Sequence, residues 1–179
     1  MSIGMDKIRI RFEQLNINAI AVWQGQGLLL TCGDYSTGEF NTMTVGWGSI
    51  GVMWSLPFIQ VVVRPVRYTY QFMEKFDTFT VTSFSEEYAP ALHLLGNTSG
   101  RDGDKIKRSG LIPSASSLIP SPGFEQAQLT FECRKIYWDD MEKTQFLDPR
   151  LEKKYPAKDY HRIFYGEILS IYGDPKYQQ

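Results

Sequence analysis

The run FNTMTVGWGS, Phe40 to Ser49, constrains the fold more than any other stretch of this chain. It has the make-up of a β-strand. Strand alternation sends Asn41, Met43, Val45, Trp47 and Ser49 to one side and Thr42, Thr44, Gly46 and Gly48 to the other. Glycine weakens a strand interior. Two on one face therefore mark either a bulge or barrel corner, or a place where another backbone or a flat ligand comes close. The face carrying them is expected to be almost bare, with two threonine hydroxyls offered to whatever lies there.

Other strands are expected at 19–23, 28–32, 58–64, 79–83, 128–138 and 162–172, and the Phe40–Ser49 run supplies one at 42–47. Most are rich in β-branched and aromatic residues and are bounded by Gly, Pro, Asp or Ser. Helices are expected from Pro65 through Phe76 and at 86–95, where Tyr88, Leu92 and Leu95 recur at helical spacing. Ser85 is placed to cap the second helix and Gly96 to stop it. The stretch 109–123, GLIPSASSLIPSPG with its leading serine, has too much Pro and Ser for a regular element. Its leucines and isoleucines are too apolar for a free linker, so it should pack over the barrel or on a partner subunit. A mainly β chain of this size avoids open edges by closing into a barrel.

With 179 residues, 42% hydrophobic and 14% aromatic, the chain can bury a sizeable core, and one domain spanning 1–179 is expected. Nineteen Lys and Arg against 20 Asp and Glu leave no excess positive charge for a polyphosphate backbone, which argues against nucleic acid. The N-terminus has scattered charges and no signal-like apolar run, and no segment reaches membrane-spanning length. A soluble cytoplasmic protein is expected. Cys32 and Cys133 lie in strand-like surroundings that favour buried free thiols, and with only His93 and His161 beside them there is no spacing suited to a metal. No G-x-S-x-G elbow selects a nucleophile, so no catalytic side chain is assigned. Chemistry borrowed from a cofactor is the natural alternative.

Four ordered pieces, NTMTVGWGSIG (41–51), MWSLP (53–57), VRPVRYT (63–69) and SGRDGDK (99–105), resemble the flavin reductase-like proteins of the FMN-binding split-barrel superfamily, the flavoredoxin-like branch in particular. FECR (131–134) and HRIFYGEI (161–168) add weaker support. The resemblance implies a six-stranded antiparallel split β-barrel with a few flanking helices, FMN as cofactor, and a homodimer. It also implies hydride transfer from NADH or NADPH to flavin and onward to free flavin or a redox partner protein. A flavoredoxin-like carrier with little direct NAD(P)H activity is the alternative, and a barrel-shaped binding module without flavin is a third reading.

The same resemblance places the isoalloxazine edge along Thr42, Met43, Thr44, Val45 and Gly46, with Trp47 and Ser49 near the flavin chain. Core packing is the plain alternative for Met43 and Trp47. Arg64 emerges at a strand-to-helix junction, where unpaired N–H groups favour an anion. The family sets its flavin phosphate against residues matching Arg64 and Thr69, with Tyr68 in the same turn. Arg67 is less constrained. The loop 99–105 could be a solvated turn, but the resemblance makes Ser99, Gly100, Arg101, Asp102 and Lys105 flavin or nicotinamide neighbours, Lys105 foremost for phosphate. His161 reads as a surface or satisfied core histidine, and His93 as packed on its helix. MWSLP replaces the serine and paired prolines of the commoner flavin reductase pattern. No G-x-G-x-x-G loop opens a helix, so nicotinamide would bind over the flavin itself.

Overall fold

The computed structural model describes residues 6–25 and 27–179. Its strands are β1 (Ile8–Arg9), β2 (Leu28–Asp34), β3 (Glu39–Val45), β4 (Gly48–Met53), β5 (Leu56–Val63), β6 (Thr78–Ser83), β7 (Pro113–Ser114), β8 (Gly123–Phe124), β9 (Leu129–Asp140) and β10 (Arg162–Gly173). The α-helices are α1 (Ala19–Gln24), α2 (Tyr68–Lys75), α3 (Ala89–Asn97), α4 (Lys105–Ser109) and α5 (Pro149–Glu152).

One antiparallel sheet runs in the order β3-β2-β6-β9-β10-β5-β4, with β1 added on β10. The two end strands, β3 and β4, are consecutive in the chain and joined only by Gly46 and Trp47, so the ribbon must curl until its edges meet. Among the described pairings none links β3 to β4, and the barrel is split along that seam. Its interior holds Leu30, Met43, Val45, Val61, Val63, Phe79, Val81, Phe131 and Phe164, and α2 contributes Phe72 and Met73. A second cluster lies on the other face of β2, where Leu29 packs with Leu92 and Leu95 of α3, Leu111, and Phe124. This is the mainly β split-barrel class expected from sequence, although the large sheet has eight strands rather than six.

Several local expectations are corrected. Residues 19–23 form α1 and not a strand: the Asn18 side chain accepts from Ala21 N–H and caps a helix that the apolar run AIAVW had concealed. The strand expected at 42–47 ends at Val45, and β4 is a separate strand that begins at Gly48. It pairs with β5 through a hairpin at Trp54 and Ser55, both in the left-handed region (φ 53° and 59°), the geometry of a two-residue hairpin turn without its usual Asn-Gly. Gly96 does not stop α3, which runs on to Asn97; a Cβ on Gly96 would lie 2.5 Å from the Thr44 hydroxyl, so the glycine lets helix and strand approach. Ser85 hydrogen-bonds Glu87 and does not cap the segment that follows it. The stretch 109–123 packs as an ordered loop, burying Leu111 and Ile119 and exposing Ile112 and Leu118.

Candidate functional site

The face of β3 that carries Thr42 and Thr44 is covered, contrary to the expectation of a bare platform. Thr42 is fully buried, its hydroxyl donating to the Leu30 carbonyl at 3.1 Å and accepting from Thr31 at 2.9 Å, while Thr44 lies under Gly96. Gly48 is pressed against the Trp23 ring. What stays open is the end of β3 and the link to β4, with Thr44 half-buried and Gly46 and Trp47 exposed. Because β3 is an edge strand, alternate backbone N–H and C=O groups there face away from β2 and are available to a ligand.

Two clefts meet on this ribbon. One, about 280 Å³, is lined by Met43–Trp47, Val62, Arg64, Arg67 and His161. The other, about 550 Å³, shares Thr44, Val45, Gly46 and Arg67 and continues to Trp23, Leu92, His93 and Asn97. The flat ribbon and the Arg67 guanidinium are thus common to both sides of one groove.

The cations expected to bind an anion differ in how they are already held. Arg64 makes a forked pair with Asp159 (2.9 Å to each oxygen), donates to the Lys154 carbonyl at 2.9 Å, and lies 4.9 Å from the Tyr155 ring centre. The Asp159 carboxyl is in turn held below the usual carboxylate range, chiefly by the Arg64 hydrogen bonds. Lys105, 3% exposed, donates to the carbonyls of Leu95 (2.9 Å) and Thr98 (3.0 Å), closing the C-terminal end of α3. Burial, and then the charge of Arg67, push its ammonium down to about 8. Thr69 is buried, and its hydroxyl accepts from the Asn41 amide at 2.7 Å.

Arg67 is exposed and makes one long contact, 3.4 Å to the Gly96 carbonyl. It is the residue before α2, whose start has no side-chain cap; the Tyr70 N–H is taken by the Arg67 carbonyl, which leaves the Tyr68 and Thr69 N–H groups of the first turn uncapped beside it. Arg101 approaches the same corner, donating to the Val66 carbonyl at 3.3 Å with its guanidinium 5.0 Å from the Tyr68 ring centre. Gly100 fits there only because it has no Cβ, which would fall 2.6 Å from both Asn41 Oδ1 and the Tyr68 ring. Ser99 accepts from Arg101 N–H, and Asp102 is exposed. Ser49 donates to Gln60 on the neighbouring strand. A larger cleft of about 800 Å³ lies on the side of Tyr68, Gly100 and Lys105, and shares none of the ribbon residues 43–47.

The sequence-expected residues therefore divide. Met43, Thr44, Val45, Gly46, Trp47 and Arg64 line the groove; Tyr68, Gly100 and Lys105 line the larger cleft; Thr42, Thr69 and Ser49 direct their hydroxyls into the protein. Two groove residues, Arg67 and His161, stand outside the flavin contacts expected from sequence. Arg67 carried a signal, its place one residue before a helix after Pro65. His161 carried less. It is buried, lies against Trp47 with the rings tilted by 50° (5.1 Å between ring centres) and is bonded through Nδ1 to the Tyr155 hydroxyl at 2.8 Å. Burial, and then Arg64, lower its pKa to about 4, so the ring is neutral.

A family profile for the flavin reductase like domain matches residues 25–179. The chain belongs to the flavin reductase-like family. Among solved structures of the split-barrel type, flavoredoxin of Desulfovibrio vulgaris (Miyazaki F) is 22% identical, with a TM-score of 0.65 over 98% of this chain and 77% of that one. Component B of nitrilotriacetate monooxygenase from Bacillus cereus is 16% identical (TM-score 0.67, 86% and 72% covered). An FMN-binding domain of a flavin reductases-like enzyme from Shewanella baltica OS155 is 18% identical (TM-score 0.63, 90% and 78%). At such identities the likeness is one of fold. An uncharacterized protein of Aquifex aeolicus (strain VF5) is 29% identical over 93 residues, 52% of this chain and 39% of its own length, so the match spans about two fifths of that curated relative. The fold of this family member, a split barrel open at the β3–β4 seam, is the one the sequence resemblance implied. Cys32 and Cys133 are both buried and free, and no described helix is long and apolar enough to cross a membrane.

Proposed function

We propose that the chain is an FMN-binding oxidoreductase of the flavin reductase type, one functional unit over its length. The observation that carries this is the groove on residues 44–47, where the open edge of β3 meets Arg67 and the uncapped start of α2. The donor set fits FMN. Backbone groups of Thr44, Val45 and Gly46 suit the hydrogen-bonding edge of a flat ring, and Met43 and Thr42 support the ribbon from within. Trp47 supplies an aromatic wall. Arg67, flanked by Arg101, with the N–H groups of Tyr68 and Thr69, suits a phosphate, because a guanidinium beside a helix start combines charge with directed donors. Arg64 and Lys105 act beneath this site, holding the 153–161 segment and the end of α3. Ser99, Gly100 and Asp102 shape the turn that presents Arg101, and Ser49 braces β4.

When bound, FMN would supply the redox chemistry, taking a hydride from NADH or NADPH and passing electrons to free flavin or a partner protein. The chain's part is to bind, orient and shield. The exposed aromatic pair Trp54 and Tyr137, continuous with Tyr165, supports a homodimer or docking of a redox partner, and the second use would favour a flavoredoxin-like carrier. Buried free thiols suit a reducing, cytoplasmic setting.

The test is reconstitution with FMN followed by gel filtration and an absorption spectrum. A yellow, flavin-loaded protein is expected, and failure to retain FMN at micromolar concentration would defeat the reading. Anaerobic mixing with NADH or NADPH then separates reductase from carrier: bleaching on a catalytic timescale is expected of the first. Sedimentation velocity checks the dimer, for which Trp54→Arg is expected to shift the protein toward monomer.

A further inference from the structure

The segment between β9 and β10 reaches the groove through Tyr155, a residue with no counterpart in the sequence reading. Its ring sits under the Arg64 guanidinium, its hydroxyl lies 2.8 Å from His161 Nδ1, and the His161 ring lines the groove beside Trp47. Asp159, from the same segment, clamps Arg64 in place with both oxygens. Phe146 and Tyr160 pack against Tyr155 as tilted ring pairs, 5.7 and 4.9 Å between centres, and hold its ring. His161 Nδ1 is thus committed to Tyr155, while Nε2 has no hydrogen-bond partner among the described residues.

A tyrosine hydroxyl has one proton, and two acceptors compete for it here. The Met141 thioether lies at 3.4 Å and the imidazole nitrogen at 2.8 Å. Nitrogen is the stronger acceptor and the closer one. The charges that face the ring favour a neutral imidazole on balance. Arg64 from the end of β5 and Arg67 from the start of α2 oppose a second positive charge, Asp159 offers partial compensation, and burial adds to the opposition.

We propose that Tyr155 is a positioning residue: by donating to His161 Nδ1 it fixes the proton of the neutral imidazole on Nε2, which then serves as a donor in the groove for a carbonyl oxygen of a flat ligand on residues 44–47. Flavins carry such carbonyls on the pyrimidine ring, and nicotinamide carries one in its carboxamide; both present the same acceptor. This rests on the proposed flavin function for its ligand, but the tautomer itself is a property of the protein alone.

The experiment has two arms. The first reads the ring-nitrogen shifts of 15N-histidine-labelled protein without flavin, with His93→Gln leaving His161 as the single histidine. Neutral Nε2–H tautomer is expected from pH 5.5 to 8, and Tyr155→Phe should give a tautomer mixture. The second arm measures binding. Tyr155→Phe is expected to weaken either FMN and riboflavin together, which assigns the carbonyl to the flavin, or NAD+ on the FMN-loaded protein alone, which assigns it to the carboxamide; a loss of about two- to tenfold corresponds to one neutral hydrogen bond. An Nδ1–H tautomer in the parent protein would overturn the proposal even if FMN binds. So would a Tyr155→Phe protein whose tautomer and affinities are unchanged.

Discussion

Arg64 and Arg67 stand three positions apart, one on each side of Pro65, and their surroundings differ sharply. Arg64 is consumed by a forked bond to Asp159, a carbonyl and an aromatic face; Arg67 has one long carbonyl contact and open solvent. The same contrast separates Lys105, closed onto two carbonyls, from Arg101, which reaches out over Tyr68. Charge alone does not identify a ligand-binding cation. A cation whose donors are already satisfied gains little from a phosphate, since it must give up bonds of similar strength, whereas one held by a single weak contact gains in full.

The sharpest way to break this comparison is to remove the committed cations. Arg64→Ala should lower Tm by roughly 5 °C, because it leaves Asp159 without its partner and frees the segment that carries Tyr155. FMN and riboflavin affinities should change by the same factor. Lys105→Met should cost less, roughly 3 °C in Tm, through the Leu95 and Thr98 carbonyls it leaves unpaired. Here too no difference between the ligands is expected. Phosphate-selective loss in either variant, measured by fluorescence titration with both flavins, would put the anion where the sequence first suggested.

A smaller effect comes from His161. Its folded-state pKa of about 4 lies below the ordinary value of 6.5, so the unfolded chain binds a proton that the folded one refuses between those limits. Stability should decline as pH falls from 6.5 to 4 and gain no further loss from this group below that. His161→Gln should flatten that part of a urea-midpoint profile; an unchanged slope would show that the imidazole is not buried as described.

Most of the sheet was legible in the sequence, because β2, β5, β6, β9 and β10 combine apolar β-branched residues with clear turn signals. Failures fell where a short segment satisfied two patterns. AIAVW reads equally as a buried strand until Asn18 is recognised as a cap, and the alternation through Gly46 and Gly48 reads as one strand until the chain is seen to leave β3 after Val45 and pair with β5 from Gly48. The glycines near Phe40–Ser49 did signal close approach, but what approaches at Gly48 is Trp23, and the clearance at Thr44 is provided by Gly96 from α3. The partners of Arg64 were invisible for a different reason: Asp159 is 95 positions away, and no local pattern reports that a fold has spent a cation.

The central claim is that the groove on residues 44–47 holds FMN with its phosphate at Arg67. The direct test is the affinity of Arg67→Gln for FMN and for riboflavin, which has the same ring and ribityl chain without the phosphate. A hydrogen bond to a charged group contributes about 1.5–3 kcal/mol, so FMN should bind roughly ten- to 150-fold more weakly while riboflavin is unchanged. Equal losses for both flavins, or none for either, would contradict the account.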